Sequence, residues 1–179
     1  MLQKSSMEQV LAVFFLFPTR SHNLMEISRT VGIAHTSVKK NLTALVKLGF
    51  ITEMLEKKGK RKFPVYTAKR ENSLFQQHKQ LYNLRSLYES NLIRYIEEKL
   101  SPRTIILFGS YKRGEDVEDS DIDVYVECRG ENLALQTFEK KLGRKIELHF
   151  NENFASYPKE LKNNLINGIV VSGFLEGYS

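Results

Sequence analysis

The sequence predicts an α+β protein in two parts: a basic, mostly helical N-terminal part and a C-terminal part built on a small mixed sheet. Three observations predict it. The apolar pattern has helical spacing through the first fifty residues and alternates strand-like in several runs after residue 102. Residues 71–100 hold no Gly or Pro, as a connecting helix requires. Charge divides at the same place, with 13 Lys/Arg against 4 Asp/Glu in residues 1–70 and 14 against 17 in residues 71–179, or +9 and −3 of the total +6. Such asymmetry suggests different partners for the two parts, nucleic acid being one for the basic part.

The totals restrict the class. The longest apolar run, Val10–Phe17, is about eight residues, against about 20 for a membrane span. No signal-peptide pattern precedes it, so a cytoplasmic location without membrane attachment is expected. Cys128 is the single cysteine, so neither an intrachain disulfide nor a cysteine-based zinc cluster is available. The four histidines are widely spaced, with no His-Glu-x-x-His motif.

In chain order, Ser5 or Ser6 caps a first helix with Met7, Val10, Leu11, Phe14 and Phe15 on its apolar side, ended by Pro18. A second helix fits Leu24–Val31 and stops at Gly32. A third runs from about His35 to Leu48, with Val38, Leu42, Leu45 and Val46 inward and Gly49 as its C-terminal cap. Its other side offers Thr36, Lys39, Lys40, Thr43 and Lys47, with Ser37 and Asn41 near its start. Such side chains reach phosphates or base edges when a helix enters a major groove. Strands Phe50–Leu55 and Phe63–Thr67 follow, joined by a tip carrying Lys57, Lys58, Lys60, Arg61 and Lys62, suited to a phosphate backbone. A solvated basic face and a protein-docking module are the competing readings.

The stretch Val31-Gly32-Ile33-Ala34-His35-Thr36-Ser37-Val38, with Leu45-Val46-Lys47-Leu48-Gly49-Phe50-Ile51, resembles the winged helix-turn-helix of transcription regulators over residues 5–68. The resemblance implies that residues 1–70 form a domain for double-stranded DNA. Its third helix would present Thr36, Ser37, Lys39, Lys40 and Asn41 to the groove, and the wing its five basic residues to the backbone.

Residues 71–100 read as one linker helix or two abutting ones. Leu74, Leu81, Tyr88 and Tyr95 recur every seven residues, flanked by Leu84, Leu92 and Ile96. Two-fold dimers suit helix-turn-helix proteins, so a homodimer through this stretch is expected; packing within the chain is the alternative.

In residues 101–179, a strand over Arg103–Phe108 ends at Gly109, which permits close backbone approach. Ser110 follows at a helix start suited to phosphate oxygens, with Arg113 three residues on. After an acidic loop comes Ser120-Asp121-Ile122-Asp123-Val124. In a strand over 121–126 both carboxylates face one way, and a divalent cation between them relieves their repulsion. Two other motifs fail. Gly109 and Gly114 have P-loop spacing, but Glu115-Asp116 stand where Lys-Ser/Thr is needed. Asp119, Asp121 and Asp123 imitate an EF-hand loop whose sixth and twelfth positions would be Val124 and Gly130.

Gly109-Ser110, Arg113-Gly114 and Ser120-Asp121-Ile122-Asp123 together resemble the DNA polymerase beta-type nucleotidyltransferases, in particular the minimal ones, over residues 101–173. The resemblance implies a magnesium-dependent site. Gly109 and Ser110, with Arg113 and Ser120, would hold a nucleoside triphosphate, ATP foremost; Asp121 and Asp123 would bind Mg2+. Two ions about 3.5–4 Å apart would stabilise the entering and leaving oxygens. The third carboxylate falls to Glu147, the one acid of the strand Lys145–Phe150, because no aspartate follows Asp123. Minimal members mostly use Asp there. His149 lies two residues beyond Glu147 on the same face, which leaves open a place by the site, although an ordinary edge histidine is the favoured expectation; Cys128 is expected to pack at a strand end. A helix over Asn132–Leu142, another from Pro158 to Gly168 and a final strand complete the domain.

Two functions are compatible with this sequence. One is a DNA-binding regulator that transfers a nucleoside monophosphate to a hydroxyl, with a partner such as a toxin-like neighbour supplying the acceptor. The other is a non-catalytic regulator that senses nucleotide or docks a protein.

Overall fold

The computed structural model describes residues 4–176, apart from the side chains of Lys58 and Ala155. The chain forms two compact units, Met1–Lys79 and Gln80–Ser179, treated separately below.

The first unit packs three helices against a three-stranded sheet. Helix α1 (Ser6–Leu16) opens with Ser5 in a full capping box: its hydroxyl accepts from the Glu8 N–H while Glu8 reaches back to the Ser5 N–H. A two-residue strand β1 (His22–Asn23) leads into α2 (Leu24–Val31), which ends at Gly32 with φ +68°. Helix α3 (His35–Lys47) closes in a Schellman arrangement, with the Gly49 N–H on the Val46 carbonyl and the Phe50 N–H on Leu45. Val10, Phe14, Ile27, Val38, Leu42 and Leu45 are wholly buried between these helices. Each such side chain contributes about 1.5–3 kcal/mol of transfer free energy.

Strands β2 (Ile51–Lys58) and β3 (Arg61–Ala68) pair antiparallel, and β1 adds to β3 with His22 opposite Tyr66. The hairpin is longer than its sequence suggests. Lys57 pairs with Lys62 and Lys58 with Arg61, so the expected seven-residue tip is mostly ladder, turned at Gly59 and Lys60. Charged residues give no apolar alternation to reveal such an extension, and the two-residue β1 is equally invisible in sequence.

Helix α4 (Ser73–Ser90) carries the boundary between the units, and α5 (Leu92–Leu100) belongs to the second. Expected as a separate linker, residues 71–100 are instead shared out. Asn91, at φ +66°, separates the helices, and the Ser90 hydroxyl donates to the Leu87 carbonyl while accepting from the Leu92 N–H. Of the seven-residue repeat, Leu74, Leu81 and Tyr88 are exposed, whereas Tyr95 packs on Phe138 at 4.9 Å.

The second unit is built on a sheet of order β6-β5-β4-β7, from β4 (Thr104–Phe108), β5 (Ile122–Glu127), β6 (Ile146–Asn151) and β7 (Ile169–Gly173). β4 is antiparallel to β5 and β7, whereas β5 and β6 run parallel across the connecting helix α7 (Gln136–Leu142). Alternation puts Ile105, Leu107, Ile122, Val124 and Val126 in one core with Leu87, Leu92 and Ile96. Ile106, Phe108 and Tyr125 face the other side, under Phe154 and Leu165, the latter from α8 (Lys159–Ile166). Cys128 packs beside the first core just past β5.

Candidate functional site

The site grows from the end of β4. Phe108 pairs with Asp123 across β4 and β5, and Gly109 follows at φ +73° as the first residue of α6 (Gly109–Arg113). A Cβ on Gly109 would lie 2.0 Å from Asp123 Oδ2 and 2.9 Å from its Cγ. Glycine is therefore required twice, for a left-handed backbone and for room for a carboxylate.

Asp123 is joined from the other side by β6. The parallel register sets Asp123 opposite Glu147 and Tyr125 opposite His149. His149 Nε2 lies 3.4 Å from Asp123 Oδ1 and 4.0 Å from Glu147 Oε1, and its ring packs 5.1 Å from that of Phe108. One ligand atom from each of Asp123, Glu147 and His149 falls within 4.8 Å of the other two. Burial pushes the Asp123 carboxyl above the ordinary carboxylate range; the His149 contact opposes this, while the Glu147 and Asp121 charges add to it. A divalent cation offsets both burial and repulsion. The cradle at Gly109 and the donor set of two carboxylates and an imidazole fit one.

The structure thus brings together Asp123 and Glu147, as the sequence suggests, and adds His149, which the sequence reading left as an edge residue. The signal was the two-residue spacing from Glu147, and its meaning needed the register with β5. Asp121 is outside this trio. It precedes β5 and lines a cavity of about 480 Å3 with Ser120, Glu139, Arg144 and Lys145 among others. The Ser120 hydroxyl accepts from the Val117 N–H at 2.9 Å and so pins the turn before β5. Ser110 is half-buried beside Gly109. The Arg113 guanidinium, expected near phosphate, pairs with Glu115 at 2.6 Å, because Gly114 turns the chain back toward it.

A buried polar group supports the turn from behind. Asp116, nearly inaccessible within a loop that reads as solvated, accepts from Asn83 Nδ2 at 2.8 Å and meets Arg144 Nη2 at 3.4 Å. The same Asn83 amide donates to the Tyr111 carbonyl at 2.8 Å. These contacts tie α4, α6 and the start of β6 to the segment that delivers Asp121.

In the first unit, Thr36, Ser37, Lys39 and Lys40 are exposed on α3, and Lys57, Lys60, Arg61 and Lys62 are exposed on the hairpin. Lys58 belongs to the same expected set, and its side chain lies outside the described residues. Asn41 is a correction: it is buried and its amide donates to the Ser6 hydroxyl at 3.1 Å, tying α3 to α1 instead of facing solvent.

Among the described residues no helix is long and apolar enough to cross a membrane. Residues 89–171 match the family model described as nucleotidyltransferase domain, a span from the end of α4 to β7 that holds the whole site above. Over 63 residues the chain is 38% identical to a Methanocaldococcus jannaschii protein named "Putative protein adenylyltransferase", covering 31% of this chain and 63% of that protein. A solved structure titled "Possible transcriptional regulator", from Methanosarcina mazei, aligns with a TM-score of 0.37 at 13% identity, covering 54% of this chain and 79% of the other.

Proposed function

We propose that this protein is a DNA-binding regulator whose nucleotidyltransferase domain moves a nucleoside monophosphate from a nucleoside triphosphate, ATP in the first instance, to a hydroxyl on a partner protein. The observation that carries the reading is the convergence on Asp123, with Gly109 cut back to admit its carboxylate and Glu147 held opposite in register. Asp123 and Glu147, flanked by Asp121, would hold divalent magnesium, which when bound neutralises charge on the triphosphate and the leaving pyrophosphate.

The residues themselves do the rest. Gly109-Ser110 takes the phosphate end, and the cavity beside Asp121 has the volume of a small-ligand site. The acceptor oxygen attacks the α-phosphorus, the bond to the bridging oxygen of pyrophosphate breaks, and Glu147 takes the hydroxyl proton. The name of the archaeal relative, "Putative protein adenylyltransferase", supports a macromolecular acceptor. The exposed basic groups of α3 and the hairpin support DNA as the partner of the first unit.

The test is incubation of the full chain with α-labelled ATP and Mg2+, alone and with the product of the neighbouring gene, beside Asp121→Ala/Asp123→Ala. Pyrophosphate release and a labelled polypeptide, both lost in the variant, are expected. No release with any of the four triphosphates would sink the catalytic reading and leave a nucleotide-sensing or docking regulator.

A further inference from the structure

The His149 imidazole stands among the carboxylates of the site, and that position has a chemical consequence. We propose that His149 is a protein ligand of the metal, beside Asp123 and Glu147, and that the site therefore prefers a first-row transition ion such as Mn2+ to Mg2+. The inference rests on the metal-dependent reading above, adds a ligand to it and replaces magnesium, named there, as the favoured ion.

Geometry comes first. Ligands at right angles on an octahedral ion with bonds of about 2.1 Å stand roughly 3 Å apart. His149 Nε2 is 3.4 Å from Asp123 Oδ1 and 4.0 Å from Glu147 Oε1, and the three ligand atoms all lie within 4.8 Å of one another, so closing each separation to about 3 Å would make them one face of a coordination sphere. Position is set by the backbone: Glu147 and His149 alternate onto the same side of β6, and the parallel register carries both to Asp123. The Phe108 ring packs against the imidazole. Gly109 removes a Cβ that would push Asp123 away.

Donor chemistry then decides the ion. An all-oxygen site suits Mg2+, which holds water tightly and gains little from nitrogen. Imidazole suits first-row transition ions, Zn2+, Fe2+ and Ni2+ most and Mn2+ least, and Mn2+ with its partly filled d shell still takes nitrogen more readily than Mg2+ does. A His149 that merely pairs with Asp123 would shape the carboxylate without favouring one ion over another.

The full chain with Mn2+ alone distinguishes these. Electron spin-echo modulation of the bound ion should show coupling to an imidazole 14N nucleus in the unaltered protein, and none in His149→Gln. In titrations, His149→Gln should weaken Mn2+ by more than the roughly tenfold to hundredfold that losing a supporting outer partner costs, while changing Mg2+ far less. Absence of 14N coupling in the unaltered protein overturns the proposal without recourse to any variant. So does an equal loss of both ions in His149→Gln. Asp123→Asn and Glu147→Gln serve as the separate arm. If neither affects binding of either ion, the metal-site reading itself fails; if both do and the 14N signal is missing, only the role of His149 falls.

Discussion

Replacing Gly109 with alanine separates what the residue does for folding from what it does for the site. At φ +73° an L-residue costs about 1–2 kcal/mol. For a chain of this length that lowers the melting temperature by roughly 2–8 °C. The new Cβ would also sit 2.0 Å from Asp123 Oδ2, where ordinary contact begins at 3.4 Å, so the carboxylate must retreat by about 1.4 Å. A carboxylate at the end of its side chain can swing away at modest cost in stability. It cannot do so and keep its place in the site, and displacement of about 1 Å costs on the order of a hundredfold in rate. Gly32→Ala is the matched control, with φ +68° and nothing within 4 Å of its Cβ. The two variants should melt within a few degrees of each other, while Gly109→Ala alone loses Mn2+ binding and at least about a hundredfold of pyrophosphate release. Thermal melts, metal titration and a coupled pyrophosphate assay measure this. Equal metal binding and turnover in both variants would refute the link between Gly109 and Asp123.

Two further outcomes follow from the same structure. Asn83→Ala removes the amide that donates to both Asp116 and the Tyr111 carbonyl, while Asp116 keeps its Arg144 contact, and should cost about 1–3 kcal/mol in chemical denaturation, whereas Arg94→Ala, which breaks an exposed pair with Glu98, should leave the midpoint unchanged. Neutralising Lys57, Lys60, Arg61 and Lys62 together should weaken binding to duplex DNA and reduce the slope of log affinity against log salt by roughly 0.9 for each phosphate contact removed. Unchanged slope would place the hairpin away from the backbone.

What sequence could and could not reveal divides along the range of each interaction. Gly109 and Asp123 were legible as parts of one site from their types and spacing, and the structure sets them in contact; Asp121, expected with them, precedes β5 and stands outside the trio. The helix ends at Gly32 and Gly49 were legible because capping is local. Asn41 was not, since helical periodicity places it beside the groove-facing residues and only the hydroxyl of Ser6, 35 positions earlier, turns it inward. Asp116 sits in an acidic run that reads as solvated. It is buried by Asn83 and Arg144, 33 and 28 residues away. The meaning of His149 likewise depends on a strand pairing that no local pattern encodes.

The parallel register of β5 and β6 also sets an order of events. Parallel neighbours need a crossover, here through α7, so Asp123 meets Glu147 and His149 only after that helix has been made and docked. During synthesis, a chain halted before residue 147 holds one of the three side chains, Asp123, and no cage for an ion. If a cation binds there as proposed, its capture would mark the pairing of β5 with β6, and binding only to the paired arrangement would draw folding toward the native state by mass action.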